Sequence, residues 1–258
     1  MTALPVLITG ASSGIGADFA RIFARKGHPL ALVARSGSAL EVLALELVTP
    51  GVRAPVTLAL DLSTHDAAER LAAALAEQNF CTEILVNNAG YGLNGPVGAL
   101  DAAGQLGIVD LNIRALTDIT LKLLPEITAA KGRILNVAST AAFLPGPGMA
   151  VYYASKAYVL SFSEALSHEL AASGVSVTAL CPGPTETDFF RRAGGKAGKL
   201  KSLGMMKSMD VAEAGYRGLM AGKRVVVPGF MNKLVAVFGP LAPRALLLPA
   251  VARVQLGK

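Results

Sequence analysis

Short apolar runs alternate along this chain with longer amphipathic stretches. The runs Leu4–Thr9, Leu30–Ala34, Val56–Leu60, Ile84–Val86, Arg133–Ala138, Val175–Cys181 and Arg224–Val227 are rich in Val, Ile and Leu and show no clear polar–apolar alternation. Strands covered on both faces read this way. Helical stretches lie between them at Ile15–Lys26, Ser38–Val48, Ala67–Gln78, Ala102–Ala129, Val151–Ala172 and Val211–Ala221. Gly27, Gly51 and Gly174 follow three of these as helix stops.

Alternating β and α units of this kind predict a parallel sheet with helices on both faces. Right-handed crossovers make it a doubly wound, three-layer α/β/α fold of the Rossmann type, with its ligand crevice at the carboxyl ends of the strands. No linker, repeat or low-complexity segment is present, so residues 1–258 read as a single domain. Two segments break the rhythm. Residues 183–208 are rich in Gly, Lys and Arg and read as a mobile substrate loop. Residues 228–258 form an apolar, proline-punctuated C-terminal extension.

Composition narrows the class. Hydrophobic residues make up 52% and charged residues 16%, against a usual charged share of about 25%. A disordered chain is excluded. Cys81 and Cys181 match no metal spacing and cannot form a disulfide framework, and two lone thiols fit a reducing, cytoplasmic setting. His28, His65 and His168 form no metal pair and read as surface or helix-end residues, so no metal site is expected. The N-terminus lacks the basic region of a signal peptide. The longest apolar candidate for a membrane span, Leu234–Val254, is interrupted by Pro240, Pro243, Arg244, Pro249 and Arg253. Interfacial membrane contact stays open.

The net charge of +6 is unevenly distributed. Residues 1–188 carry 11 Lys/Arg and 16 Asp/Glu, and residues 189–258 carry 13 and 2. The basic quarter points to an anionic substrate, cofactor or surface, or to a solvated rim. It lacks a nucleic-acid motif and interleaved aromatics. The run Gly194–Lys199 has the wrong spacing for a phosphate loop and no strand before it.

The first strand runs into Thr9-Gly10-Ala11-Ser12-Ser13-Gly14-Ile15-Gly16, and a helix follows. Gly10 allows a tight turn, Gly14 a close backbone approach to phosphate, and Gly16 close helix–strand packing. The free N–H groups at the helix start favour a pyrophosphate. At the end of the second strand, Arg35 stands where an NAD site would carry Asp or Glu. A cation there suits a 2′-phosphate, which predicts NADP(H).

Tyr152 and Lys156 are four residues apart at the start of a helix and share a face. A phenol titrates near pH 10, and a nearby ammonium lowers that value. Tyr152 can then give a proton to a carbonyl oxygen while hydride reaches the carbon. Tyr153 competes for the role but lacks the four-residue spacing. Ser139, at the end of the fifth strand, could polarise the same carbonyl or merely cap a turn, and Thr140 could serve equally. Asn112 is a poor helix former inside a helical stretch, which suggests a special role.

Taken together, Thr9–Gly16, Asp61-Leu62, Asn87-Asn88-Ala89-Gly90, Asn112, Ser139, Tyr152-x-x-x-Lys156 and Pro182-Gly183-x-x-x-Thr187 resemble the short-chain dehydrogenase/reductase family, in order and at the expected intervals. The resemblance implies cofactor contacts from Gly10, Ser12, Ser13, Gly14, Ile15, Gly16 and Arg35, and adenine contact at Asp61 and Leu62. It further implies contacts around Asn88, Ala89 and Gly90, and nicotinamide contacts at Pro182, Gly183 and Thr187. Lys156 would bond the nicotinamide ribose beside Tyr152, and Asn112 would hold a water that relays protons to Lys156. The expected activity is an NADPH-dependent reduction of an apolar ketone or aldehyde, such as a 3-oxoacyl compound, by a homodimer or homotetramer. The alternative is a non-catalytic NADP-binding regulator or scaffold. Arg191, Arg192 and Lys196 are the expected readers of an anionic substrate end. The extension is assigned to substrate, dimer interface or membrane contact.

Overall fold

The structure is a computed structural model and describes residues 4–48, 53–194 and 204–256. Six of the strands read from the sequence are β1 Val6–Thr9, β2 Leu30–Ala34, β3 Val56–Ala59, β4 Ile84–Asn87, β5 Arg133–Val137 and β6 Ser176–Leu180. Two short strands, β7 Thr185–Glu186 and β8 Met206–Lys207, pair with each other, and β9 Val225–Val226 completes the main sheet. Its order is β3-β2-β1-β4-β5-β6-β9, and every pairing is parallel. Ile8 of β1 sits in register with Leu32 on one side and Val86 on the other. The chain therefore reverses its direction of growth between β1 and β4, which opens a crevice at their carboxyl ends.

The helices are α1 Gly14–Arg25, α2 Gly37–Glu46, α3 Ala67–Glu77, α4 Ala102–Val109, α5 Leu116–Ala129, α6 Ala150–Glu169, α7 Phe189–Arg192, α8 Ser208–Met220, α9 Phe230–Phe238 and α10 Arg244–Leu256. The stops at Gly27 and Gly174 coincide with left-handed backbone, whereas Gly51 lies outside the described residues.

Period-two geometry divides the core between the faces of the sheet. Ile8, Leu32 and Leu135 face α1 and α8, where they meet Phe19, Phe23, Val211 and Leu219. Leu7, Val33 and Ile134 face the other way, onto Leu71 and Leu75 of α3 and Ile119 and Ile127 of α5. α1 and α8 pack closely because α8 carries Gly215: a Cβ there would lie 2.7 Å from the Phe19 ring. Arg21 ties α1 to α2 by a two-pronged bond to Glu46 at 2.7 and 2.9 Å. That bond holds the Glu46 carboxyl below its ordinary range.

Several sequence expectations change in three dimensions. His28 does follow a helix end, but it is buried. Its Nδ1 lies 2.8 Å from the Leu4 carbonyl and its ring stands edge-on to Phe23. The single helix expected over 102–129 contains a π-helical turn, Asp110–Ala115, between α4 and α5. Arg191 pairs with Asp188 at 2.9 Å while its side chain stays largely exposed. Lys196, Lys199 and Lys201 and the side chain of Arg192 lie outside the described residues. The extension folds as α9 and α10. No helix among the described residues is long and apolar enough to cross a membrane.

Phe19→Ala should cost about 3–5 kcal/mol, a large part of a typical total of about 5–15 kcal/mol. Leu241, 75% exposed between α9 and α10, should tolerate serine within about 0.5 kcal/mol. Urea denaturation of the two variants checks both values.

Candidate active site

A cleft of about 760 Å³ opens at the carboxyl ends of β1, β4, β5 and β6. Its floor is the turn after β1. Gly10 adopts φ +63°, and a Cβ there would lie 2.8 Å from the Ala89 backbone and 2.9 Å from Asn88 Nδ2. A Cβ on Gly16 would overlap the Gly10 carbonyl. Asn88 Nδ2 donates to the carbonyls of Thr9 and Gly10, each at 3.0 Å. Thr9 Oγ1 accepts from the backbone N–H of Asn88 at 3.0 Å and of Ala89 at 3.1 Å. The side chain of Asn88 is therefore committed to holding the turn. Thr9, a clamp residue, gives no signal of that role in the sequence.

Ser13 caps α1 in extended backbone without a side-chain hydrogen bond, and the first turn of α1 carries no acidic residue. Those free N–H groups, together with the Ser12 and Ser13 hydroxyls on the cleft wall, form a cradle suited to a pyrophosphate. Gly14, at φ +56°, faces Thr187: a Cβ would lie 2.9 Å from Thr187 Cγ2. The Thr187 loop thus crosses directly over the helix start.

At one end of the cleft stand Arg35, exposed, and Asp61. The Asp61 carboxylate accepts from the Ser63 hydroxyl at 2.7 Å and backbone N–H at 2.9 Å. Those bonds, with a smaller contribution from the Arg35 charge, hold its carboxyl below the ordinary range. Ser36, overlooked in the sequence, lines this end and caps α2 by accepting from Ala39 N–H at 3.3 Å. Leu62 is buried in the core beneath.

The other end gathers the chemical residues. Lys156, 6% exposed, donates to the Val137 carbonyl at 2.7 Å, and its Nζ lies 5.8 Å from the centre of the Tyr152 ring. Burial pulls its ammonium down to about 8. The same burial pushes the Tyr152 phenol up, against an opposing hydrogen bond from Ser139. This reverses the expected direction for Tyr152. Desolvation penalises both charged forms, and it outweighs the pull of an ammonium that is itself destabilised.

Ser139 both caps and bonds: its hydroxyl accepts from Ala141 N–H at 3.1 Å and lies 3.3 Å from the Pro182 carbonyl. Ser139 and Tyr152 line the cleft, and so do their neighbours Thr140 and Tyr153; the Tyr153 hydroxyl accepts from Gln255 Nε2 at 2.7 Å. Asn112 sits in the π-helical turn, a feature often found at functional sites. It is bonded to both backbone groups of Tyr91 and to Ser155 Oγ, at 3.0–3.1 Å. A Cβ on Gly90 would lie 2.9 Å from Asn112 Oδ1 and 3.5 Å from Lys156 Nζ, so Gly90 separates the two.

Asn87 and Asn136 form a buried chain behind the strand ends. Asn87 donates to Thr120 and Asn136, and Asn136 donates to Ser163, each at 2.9 Å. Gly183 packs directly on Asn232 of α9. The wall beyond Tyr152 draws in part on the segments 183–208 and 228–258, which the sequence marks as possible substrate contacts. It contains Leu93, Met149, Phe189 and, from the last turn of α10, Gln255. The end of the extension thus enters the cleft.

A family model for short chain dehydrogenases matches residues 5–197. Sulfoacetaldehyde reductase 2 of Chromohalobacter salexigens is 38% identical over 216 residues, covering 81% of this chain and 85% of that one. A solved short-chain dehydrogenase from Sphingobium yanoikuyae, in complex with NADPH, superposes with a TM-score of 0.82 at 35% identity over 95% of this chain and 94% of that one. A bulky-bulky ketone specific alcohol dehydrogenase from Comamonas testosteroni gives 0.78 at 31% identity, covering 93% and 94%. With its glycine turn at the β1–β4 reversal and Ser139, Tyr152 and Lys156 gathered beside it, the chain belongs to the short-chain dehydrogenase/reductase family of oxidoreductases.

Proposed function

We propose that this chain reduces a neutral, largely apolar ketone or aldehyde to an alcohol with NADPH. The observation that carries the reading is one continuous cleft, with the phosphate cradle and Arg35 toward one end and Ser139, Tyr152 and Lys156 at the other. The chain's similarity to an NADPH-bound structure and to a ketone-specific dehydrogenase supports it.

Gly10–Gly16, Asp61 and Thr187 would hold the dinucleotide, and Arg35 with Ser36 would face the 2′-phosphate. Bound NADPH supplies the hydride. Tyr152 gives its proton to the carbonyl oxygen as negative charge develops there, and Ser139 donates a hydrogen bond to the same oxygen. A phenol kept neutral by burial is suited to the acid role. Lys156, whose ammonium burial pulls down to about 8, would restore the proton to Tyr152. Asn112 and the backbone of Tyr91 hold the segment around Gly90 against this pair.

A second reading concerns location. Phe230, Met231, Phe238, Leu241 and Leu246 are exposed on α9, α10 and their connection. After Glu213 the sequence has no acidic residue, while Lys233, Arg244 and Arg253 stand exposed on these helices. Exposed aromatics among unopposed cations suit an anionic lipid surface. The protein should sediment with phosphatidylserine-containing vesicles, not with pure phosphatidylcholine, and added salt should release it. Self-association without vesicle binding would assign the face to a second copy instead.

Arg35→Ala should weaken NADPH binding about tenfold and leave NADH nearly unchanged, measured by titration of each cofactor. Tenfold is the low end for a charged hydrogen bond, as fits an exposed guanidinium. Tyr152→Phe should keep NADPH binding and lower turnover at least about 100-fold. Lys156→Ala should damage both. NADPH binding by the native protein without turnover on any ketone or aldehyde would favour the regulator or scaffold alternative.

A further inference from the structure

Beyond Tyr152 the cleft meets a second phenol that reduction of a carbonyl does not require. Tyr153 lines the cleft, with its ring 6.1 Å from that of Tyr152 and tilted by 76°. The ring lies flat on Gly146, where any side chain would collide with it. Gln255 Nε2 donates to its hydroxyl at 2.7 Å, and Gln255 Oε1 accepts from Asn94 Nδ2 at 3.5 Å. The Asn94 bond sets which way the Gln255 amide points. Tyr153 Oη is therefore an acceptor toward Gln255. Among the described residues its own proton has no acceptor, and it is free to donate into the cleft.

The surroundings favour a neutral donor. Leu93, Met149 and Phe189 line this side. Burial pushes the Tyr153 phenol up, with only partial relief from Gln255, so it stays protonated at neutral pH. Gly148, at φ +86°, receives Leu256, the neighbour of Gln255, against its backbone. The end of α10 is thus seated, and Gln255 is held in place.

We propose that Tyr153, oriented by Gln255, forms a subsite for a second, neutral hydrogen-bond acceptor on the substrate. Resting on the reductase reading above, this makes the preferred substrate a carbonyl compound with an ester, thioester or amide carbonyl a few atoms from the ketone. Tyr153 is the donor, and Gln255 is a positioning residue.

Ethyl 3-oxobutanoate and 2-heptanone offer similar chain lengths with and without the second carbonyl. Tyr153→Phe keeps the ring on Gly146 and removes only the hydroxyl. It should lower the ketoester-to-ketone ratio of kcat/KM about three- to tenfold, the range for one neutral hydrogen bond, mainly through the ketoester KM. Gln255→Leu should lower the ratio less, because the phenol remains but is no longer aimed. An equal loss for both compounds in Tyr153→Phe would overturn the subsite. Saturation-transfer NMR on the NADPH-loaded Tyr152→Phe protein separates this outcome from failure of the reductase reading. Ketoester binding that weakens when Tyr153→Phe is added upholds the subsite even if neither compound is turned over. Unchanged binding overturns it.

Discussion

The ends of β1 and β4 are joined by hydrogen bonds that leave no room for side chains. Thr9 Oγ1 takes two backbone N–H groups from the β4 side, and Asn88 returns two bonds to carbonyls on the β1 side. Gly10 and Gly16 are what allow the two segments to come this close. The same junction is where the sheet reverses its order. The first turn of α1 is thereby fixed at the mouth of the crevice with its N–H groups unspent. The phosphate cradle, the path of the Thr187 loop and the position of Gly90 against Lys156 all follow from this junction.

The chemical end depends on burial acting on two groups of opposite sign. Removal of water makes the phenolate of Tyr152 harder to form and the ammonium of Lys156 easier to lose. The two shifts favour a neutral phenol beside a lysine that gives up its proton readily, rather than an ion pair. The 2.7 Å bond to the Val137 carbonyl fixes Lys156, and the buried Asn87–Asn136 chain stiffens the strand ends behind it. Small displacements at such sites are costly because catalysis depends on orientation.

The C-terminal extension serves two environments at once. Its outer faces leave large apolar side chains in water, while its last turn places Gln255 in the cleft and Leu256 on Gly148. Anything that covers the outer faces would thus also act on the substrate side of the cleft.

The sequence by itself determined the sheet. Strands buried on both faces must be largely apolar, and that pattern located β1, β2 and β4 to β6, together with the partly exposed edge strands β3 and β9, to within a residue or two. It also determined the glycine turn, since the turn, the close approaches and the free helix start need those residue types at that spacing. The placement of Arg35 at the end of β2 and of Tyr152 and Lys156 one turn apart on α6 was legible for the same reason: it follows from local spacing. The tertiary structure alone decided what depends on contacts distant in sequence. Asn88 proved to be a latch because Thr9 and Gly10 lie across from it, and His28 proved buried because Phe23 and Leu4 close over it. The Tyr152 phenol moved upward because burial depends on the surrounding fold, which spacing does not reveal. Gln255 reached Tyr153 across 102 residues, and no local pattern can encode such a contact, because only packing brings the end of the chain back to the cleft.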